Sequence, residues 1–391
     1  MIRRLPVTLV GGFLGSGKTS LLHHLISSHQ GGHLAILVEN PGALNLDAKA
    51  LRGLCGAMRR THDLVLEMPD GDEDLVVDWI AARLRELAQA GRFERVLIEV
   101  SGTSNPTRLA RHFGLLPGEP ETFSPWAELH QNIGVVDALD FYRTFVAPPP
   151  VPISADLIEL QRAQIASASL LVLNKCDLVD NGQREACVTA LMKLNLNARW
   201  MEAAYGEVPL EIVHRGGTPQ ELGLEVEMSA KLKAGRAASP ESSVALGSAL
   251  YRAYRPFHPE RFWAWFNADH PGLLRVKGLI WLATRSLLVG GVSRTRWQNG
   301  CGSAGIWWAA LPREDWPEDA EVLMKMQETW QEPYGDRRQE LVLIGDEAEL
   351  SRTTREQLDA CLLTEEEYAL PFADWKNLKD PFPAWDIHDG Q

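Results

Sequence analysis

Apolar residues along this chain recur with two periods, and the alternation between them lays out the elements. Val7–Val10, Leu34–Val38, Arg95–Val100, Ile133–Val136 and Leu170–Leu173 are short apolar runs bounded by glycine or polar residues, the pattern of strands buried on both faces. Between them the spacing turns helical. Leu21, Leu22 and Leu25 share one face, and Leu75, Val76, Trp79, Ile80, Leu84, Leu87 and Ala88 share another over residues 72 to 90. Asp72, Glu73 and Asp74 crowd the first turn of that helix, where negative charge is favoured, and Gly91 ends it. A further helix is predicted from about Ser154 to Ala168, after a proline loop at 147 to 153. At least five strands alternating with helices predict an α/β fold, a doubly wound, mostly parallel sheet with its ligand at the strand C-termini.

The alternation fades after Glu202. Residues 228 to 243 are small and polar without a period and read as a linker. The expected division is a first domain over 1–225, a linker over 226–243 and a smaller α+β domain over 244–391. In that second domain strands are predicted at Val244–Tyr254, Leu274–Ala283, Leu287–Val292, Gly305–Ala309 and Leu341–Ile344, with helices over His258–Phe266 and Glu347–Cys361. Tryptophan is concentrated here, Trp263, Trp265, Trp281 and Trp307 among them, which fits either core filling or a partner surface. Arg275, Lys277, Arg285, Arg294 and Arg296 suggest a basic strip or a solvated face.

The first strand runs into Gly12-Phe-Leu-Gly15-Ser16-Gly17-Lys18-Thr19-Ser20 and then a helix, the context of a Walker A phosphate loop. Glycines let backbone N–H groups approach a polyphosphate, and the helix start adds its positive dipole end. Lys18 would reach the β and γ phosphates and Thr19 would hold Mg²⁺. The third predicted strand stops at Glu99, placed as a Walker B acid to order a Mg²⁺-bound water or the attacking water, and Gly102 would offer a backbone N–H to the γ-phosphate. Asn40, Asn45 and Asp47, past the second strand, are candidate contacts of a γ-phosphate-sensing loop, with Asp47 as a tentative Mg²⁺ ligand. Leu170–Leu173 ends in Asn174-Lys175-Cys176-Asp177. A buried Asp177 carboxylate would accept from guanine N1–H and N2–H₂, the Lys175 stem would cover the base, and Asn174 would tie this loop to the phosphate loop. Two such charge-assisted bonds, about 1.5–3 kcal/mol each, favour GTP over ATP.

Bulk properties narrow the partners. A net charge of −13 over 391 residues disfavours a general nucleic-acid or membrane-surface binder. Five cysteines with no Cys-x-x-Cys spacing suit reduced thiols and a cytoplasmic location. Arg3 and Arg4 precede an apolar run too short for a signal sequence, because it leads straight into the phosphate loop.

With these residues in place the chain resembles the CobW family of P-loop GTPases. Gly12–Thr19, Glu99–Gly102, Val135–Ala138 and Asn174–Asp177 match the GTPase half. Arg255–Trp263, Lys277-Gly278, Trp307-Trp308, Gly335–Val342 and Asp380–Trp385 resemble the family's C-terminal domain. The resemblance implies a P-loop NTPase fold and slow, Mg²⁺-dependent GTP hydrolysis coupled to delivery of a metal or cofactor to a client protein. The family's Gly-Cys-x-Cys-Cys is missing, since this chain reads Glu67-Met-Pro-Asp-Gly71 before the helix at Asp72. Glu39-Asn40-Pro41-Gly42 likewise puts asparagine where the family's glutamate would stand. Thiolates hold Zn²⁺ or Cu⁺ and carboxylates favour harder ions, so which transition metal is carried, if any, stays open. Two readings follow: a GTPase chaperone or activator, and a GTP-binding scaffold with negligible hydrolysis and no metal cargo. The client protein and the oligomeric state are left open by the sequence.

Overall fold

A computed structural model describes residues 4–29, 31–39, 46–57, 63–69, 71–114, 120–147, 153–210, 246–270, 272–316, 320–346, 350 and 352–385. The chain divides into two compact units at Val244/Ala245. The linker expected at 226–243 lies outside the described residues.

In the first unit the elements run β1 (Leu5–Gly11), α1 (Lys18–Ser28), β2 (His33–Val38), α2 (Leu46–Ala57), β3 (Leu64–Glu67), α3 (Glu73–Ala90), β4 (Phe93–Glu99) and α4 (Thr107–Ala110). Then come β5 (Ala127–Asp137), α5 (Ala138–Phe141), α6 (Ala155–Ala166), β6 (Leu170–Asn174), α7 (Asn181–Leu194) and β7 (Arg199–Glu202). The seven strands form one sheet in the order β3-β2-β4-β1-β5-β6-β7, and every pairing is parallel. Successive residues of each strand face opposite sides, so the sheet feeds two cores. Val7, Leu9, Ala35, Leu37, Val96 and Ile98 pack with Val76, Val77, Ile80 and Leu84 of α3. Val10, Ile36, Val38, Leu97 and Ile133 pack with Leu21, Leu22, Leu25 and Ile26 of α1. This two-sided burial is what the continuous apolar runs encode. The chain passes from β1 to β2 on one side and from β4 to β5 on the other side of β1, which opens a crevice at the C-terminal end of β1.

β3 and β7 were not expected. Both are four residues long and lie at the sheet edges, and β7 is Arg-Trp-Met-Glu, too polar to register as a buried run.

The second unit carries β8 (Leu246–Ala253), α8 (Pro259–Asn267), β9 (Leu273–Ile280), β10 (Leu288–Thr295), β11 (Asn299–Ile306), α9 (Ala320–Glu328), β12 (Gln339–Asp346), α10 (Arg352–Asp359) and α11 (Glu365–Tyr368). Its antiparallel sheet has the order β11-β10-β9-β12-β8. The strand expected at Gly305–Ala309 is displaced: β11 ends at Ile306 and a tight helical turn covers Trp308–Ala310. The small, half-exposed residues of β11 give no alternation for the sequence to show. The helix expected over Glu347–Cys361 is observed at Arg352–Asp359, and residues 347–349 and 351 are not among those described.

Aromatics fill this core. Phe257 and Phe262 stack with centroids 4.3 Å apart, and Trp281, Trp307 and Trp375 are 2% exposed or less. The basic residues make no common strip, because Arg294 is buried and donates to the Phe266 and Ala268 carbonyls while Arg285 forks onto Asp380.

Arg261 on α8 forks onto Glu367 at 2.9 and 2.5 Å, and the Thr364 N–H donates to the same carboxylate. The guanidinium holds the Glu367 carboxyl down at about 2. A carboxylate lowered in the folded state stabilises above its unfolded value near 4.3 and loses that contribution as pH falls towards 2. The pair is part-exposed, so its worth is about 1 kcal/mol or less. The gap in unfolding free energy between wild type and Glu367→Gln should be full at pH 6 and shrink from about pH 4.5 down. Urea titrations at several pH values check this, and a gap that does not change with pH contradicts it.

Candidate nucleotide-binding site

The crevice at the end of β1 is filled by the loop Gly12–Gly17. Its glycines are left-handed, with φ of 135° at Gly12, 79° at Gly15 and 101° at Gly17. Space enforces two of them: a Cβ on Gly12 would run into the Val135 carbonyl oxygen, and one on Gly17 into Asn174 Nδ2. α1 then starts from Gly17 with no side chain capping its first turn. Its leading N–H groups and its dipole are thus available to an anion. The Lys18 ammonium curls back to donate to the carbonyls of Gly12 at 2.8 Å and Phe13 at 3.3 Å. Thr19 Oγ1 donates to Glu99 Oε1 at 3.2 Å, with Glu99 only 5% exposed and level with Val10 on one side and Val38 on the other. Ser20 is exposed in the first turn of α1.

Under the loop, Gly12, Phe13, Ser16, Asp137, Phe141 and Gln164 line a cavity of about 20 Å³.

The second stretch starts where β6 ends. Asn174 is 1% exposed, and its amide is used at both ends: Nδ2 donates to the Ser16 carbonyl at 2.9 Å and Oδ1 accepts from the Gly206 N–H at 2.9 Å. Lys175 adopts a left-handed φ of 61° and pairs with Asp137 at 2.7 Å. Asp137 also caps α5 through the N–H groups of Leu139 and Asp140. Asp177 lies in the tight turn Cys176–Leu178 and is exposed, not buried as expected. The turn leaves the sheet as soon as β6 ends and so carries this carboxylate to the rim.

The chain after β7 joins the same group. Tyr205 and Gly206 both have positive φ, 57° and 78°, and a Cβ on Gly206 would lie 2.6 Å from the Leu21 N. β7 before this segment is too polar to show as a strand in the sequence, and Gly206 is the local residue that marks the turn. Gly102, following β4, sits against the phosphate loop, where an added Cβ would come within 2.7 Å of the Leu14 N. Asn40 and Asn45 lie outside the described residues, and Asp47 falls in α2 with its side chain outside them.

Donor chemistry separates the candidate metals. Thr19 and Glu99 offer oxygens, which suit a hard cation such as Mg²⁺. All five cysteines are free thiols. Burial pushes Cys187 up to about 12 and Cys361 up to about 11, and raises Cys176 and Cys301 too, which opposes thiolate ligation. Among the described residues no three His, Cys, Asp or Glu side chains gather as a metal site. Asp72 caps α3 by accepting from the Leu75 N–H.

Residues 6–202 match the CobW/HypB/UreG nucleotide-binding domain, and residues 246–362 match the cobalamin synthesis protein cobW C-terminal domain. The chain belongs to the CobW family. Within that family it is 30% identical to zinc-regulated GTPase metalloprotein activator 1 of Dictyostelium discoideum, over 97% of this chain and 84% of that one. It is 31% identical to zinc chaperone CobW of Pseudomonas aeruginosa, over 54% of this chain and 60% of that one. A solved structure of Zn(II)-bound YjiA GTPase from E. coli aligns over 92% of this chain and 100% of that one, at 15% identity and a TM-score of 0.38. The first CobW match ends with β7 and the second begins with β8, so both expected motifs fall within the nucleotide-binding match.

Cutting the Asn174 amide leaves the Ser16 carbonyl and the Gly206 N–H without their buried partner. Asn174→Ala should cost about 1–3 kcal/mol of stability in a denaturant melt. A melt unchanged within about 0.5 kcal/mol would show that the bridge carries nothing.

Proposed function

We propose that this protein binds GTP with Mg²⁺, hydrolyses it slowly, and uses the nucleotide state to gate a chaperone or activator function on a client protein. The observation that carries the reading is the Asn174 bridge, because one buried amide holds the phosphate loop to the turn bearing Asp177. A ligand spanning the two must carry phosphates at one end and a base able to donate to a carboxylate at the other. Guanine does so through the adjacent N1–H and N2–H₂ donors, a pair that adenine lacks.

In this reading Gly12, Gly15, Ser16, Gly17 and Ser20 line the phosphates. Lys18 leaves its two carbonyls to neutralise the β and γ oxygens. Thr19 holds Mg²⁺, the cation screens the phosphate charge, and Glu99 orients the attacking water. Lys175 is held by Asp137 so that its stem flanks the base, and Asp177 reads the guanine edge. The relatives named as zinc chaperone and zinc-regulated activator support a metal-related client. The thiols of this chain do not fit a resident zinc site, so zinc enters the reading through the client and not through a cysteine cluster. The missing cysteine run equally favours a GTP-binding scaffold with negligible turnover, and phosphate release with and without client extract separates the two.

Two substitutions test the site. Lys18→Ala should weaken GTP binding by about 100-fold or more, since a charge-assisted contact to phosphate is lost. Asp177→Asn should reverse the preference from GTP to XTP by about 10-fold or more, because the amide can donate where the carboxylate accepted. Equal weakening of both nucleotides would remove the guanine assignment.

A further inference from the structure

The run that follows β4, Ser101-Gly102-Thr103-Ser104-Asn105, is irregular, yet its polar groups are bound one after another. The Ser101 N–H donates to Glu39 Oε2 at 2.8 Å, the Thr103 N–H to Ser101 Oγ at 3.3 Å and the Ser104 N–H to the Ser101 carbonyl at 3.0 Å. Among Ser101–Ser104 only the Gly102 N–H donates to no described residue.

Two side chains from separate elements grip this run. Glu39, just past the end of β2, also accepts from Ser104 Oγ at 3.2 Å and pairs with the Arg108 guanidinium of α4, while its own N–H donates to the Glu99 carbonyl at 3.0 Å. Gln164 of α6, 3% exposed, donates from Nε2 to the Gly102 carbonyl at 3.1 Å and the Ser104 carbonyl at 2.8 Å. The third wall is the phosphate loop itself, close enough to Gly102 that no Cβ fits.

Burying a carboxylate beside an anion site is unfavourable, and burying an amide is unfavourable unless its hydrogens are used. Satisfying two loop carbonyls would not by itself call for a carboxylate and a guanidinium on the same run. What the whole set does is immobilise Ser101–Ser104, where the Gly102 N–H donates to no described residue. We propose that Glu39 and Gln164 are positioning residues that hold the Gly102 N–H for the terminal phosphate, so that the protein distinguishes triphosphate from diphosphate through them. Neither touches the nucleotide. The inference rests on the reading that GTP lies on the phosphate loop, and it adds how the third phosphate is sensed.

The test uses the full chain with Glu39→Gln and, separately, Gln164→Leu, so that one variant decides if the other does not fold. The affinity for a non-hydrolysable GTP analogue, the affinity for GDP and the turnover number are measured for each. Expected are a GDP affinity within about 2-fold of wild type, an analogue affinity about 10-fold weaker, and a turnover number lowered by a similar factor, as for one lost polar contact. Equal weakening of analogue and GDP would reduce the pair to a structural role, and no change in either would leave it none; both overturn the proposal. Lys18→Ala measured alongside separates this from the site reading. If Lys18→Ala still binds GTP, the site reading fails first. If it does not bind while the two variants keep the wild-type ratio, only the positioning role fails.

Discussion

The side-chain amide of Asn174 is the constraint on which the rest of the first unit depends. The phosphate loop and the turn after β6 come from strands separated by β5 in the sheet and by more than a hundred residues in the chain. The sheet sets the spacing of the two strands through β5, but not that of the loops that leave their ends. A buried amide that donates to one loop and accepts from another fixes it directionally, as apolar packing cannot. The closeness is also why Gly17 can carry no side chain, since the space a Cβ would occupy belongs to that same amide.

Around this bridge the parallel sheet acts as a platform. The inner strands are buried on both faces, so their positions are over-determined by the cores on either side, and the irregular loops at their C-terminal ends inherit that rigidity. Backbone strain is found at the same rim. Among the described residues the non-glycine positions with left-handed φ are Lys175 and Tyr205, on either side of the Asn174 bridge. Strained residues persist where surrounding contacts hold them and cluster at sites of function.

Much of this was legible in the sequence because two-sided burial writes unbroken apolar runs. Val7–Val10, Leu34–Val38 and Leu170–Leu173 all surfaced as strands, and the glycines and Lys18 announced the phosphate loop. The edge strands β3 and β7 did not surface, since an edge needs only one apolar face and β7 has hardly that. β11 was misplaced for the same reason. Long-range polar contacts left no pattern at all: nothing near Glu39 points to Arg108, and nothing near Gln164 points to Gly102. The exposure of Asp177 was misjudged because an apolar strand before it suggested burial, whereas the turn carries it out to the rim.

The chain keeps the CobW nucleotide frame while lacking the cysteines that would make a thiolate metal site, so its central claim concerns one nucleotide gripped at both ends. The most direct measurement is a crystal structure of the full chain with a non-hydrolysable GTP analogue and Mg²⁺. The account predicts the guanine edge within hydrogen-bonding distance of the Asp177 carboxylate and the terminal phosphates against Lys18 and the α1 N-terminus. A purine lying away from Asp177, or phosphates lying off the Gly12–Gly17 loop, would contradict it.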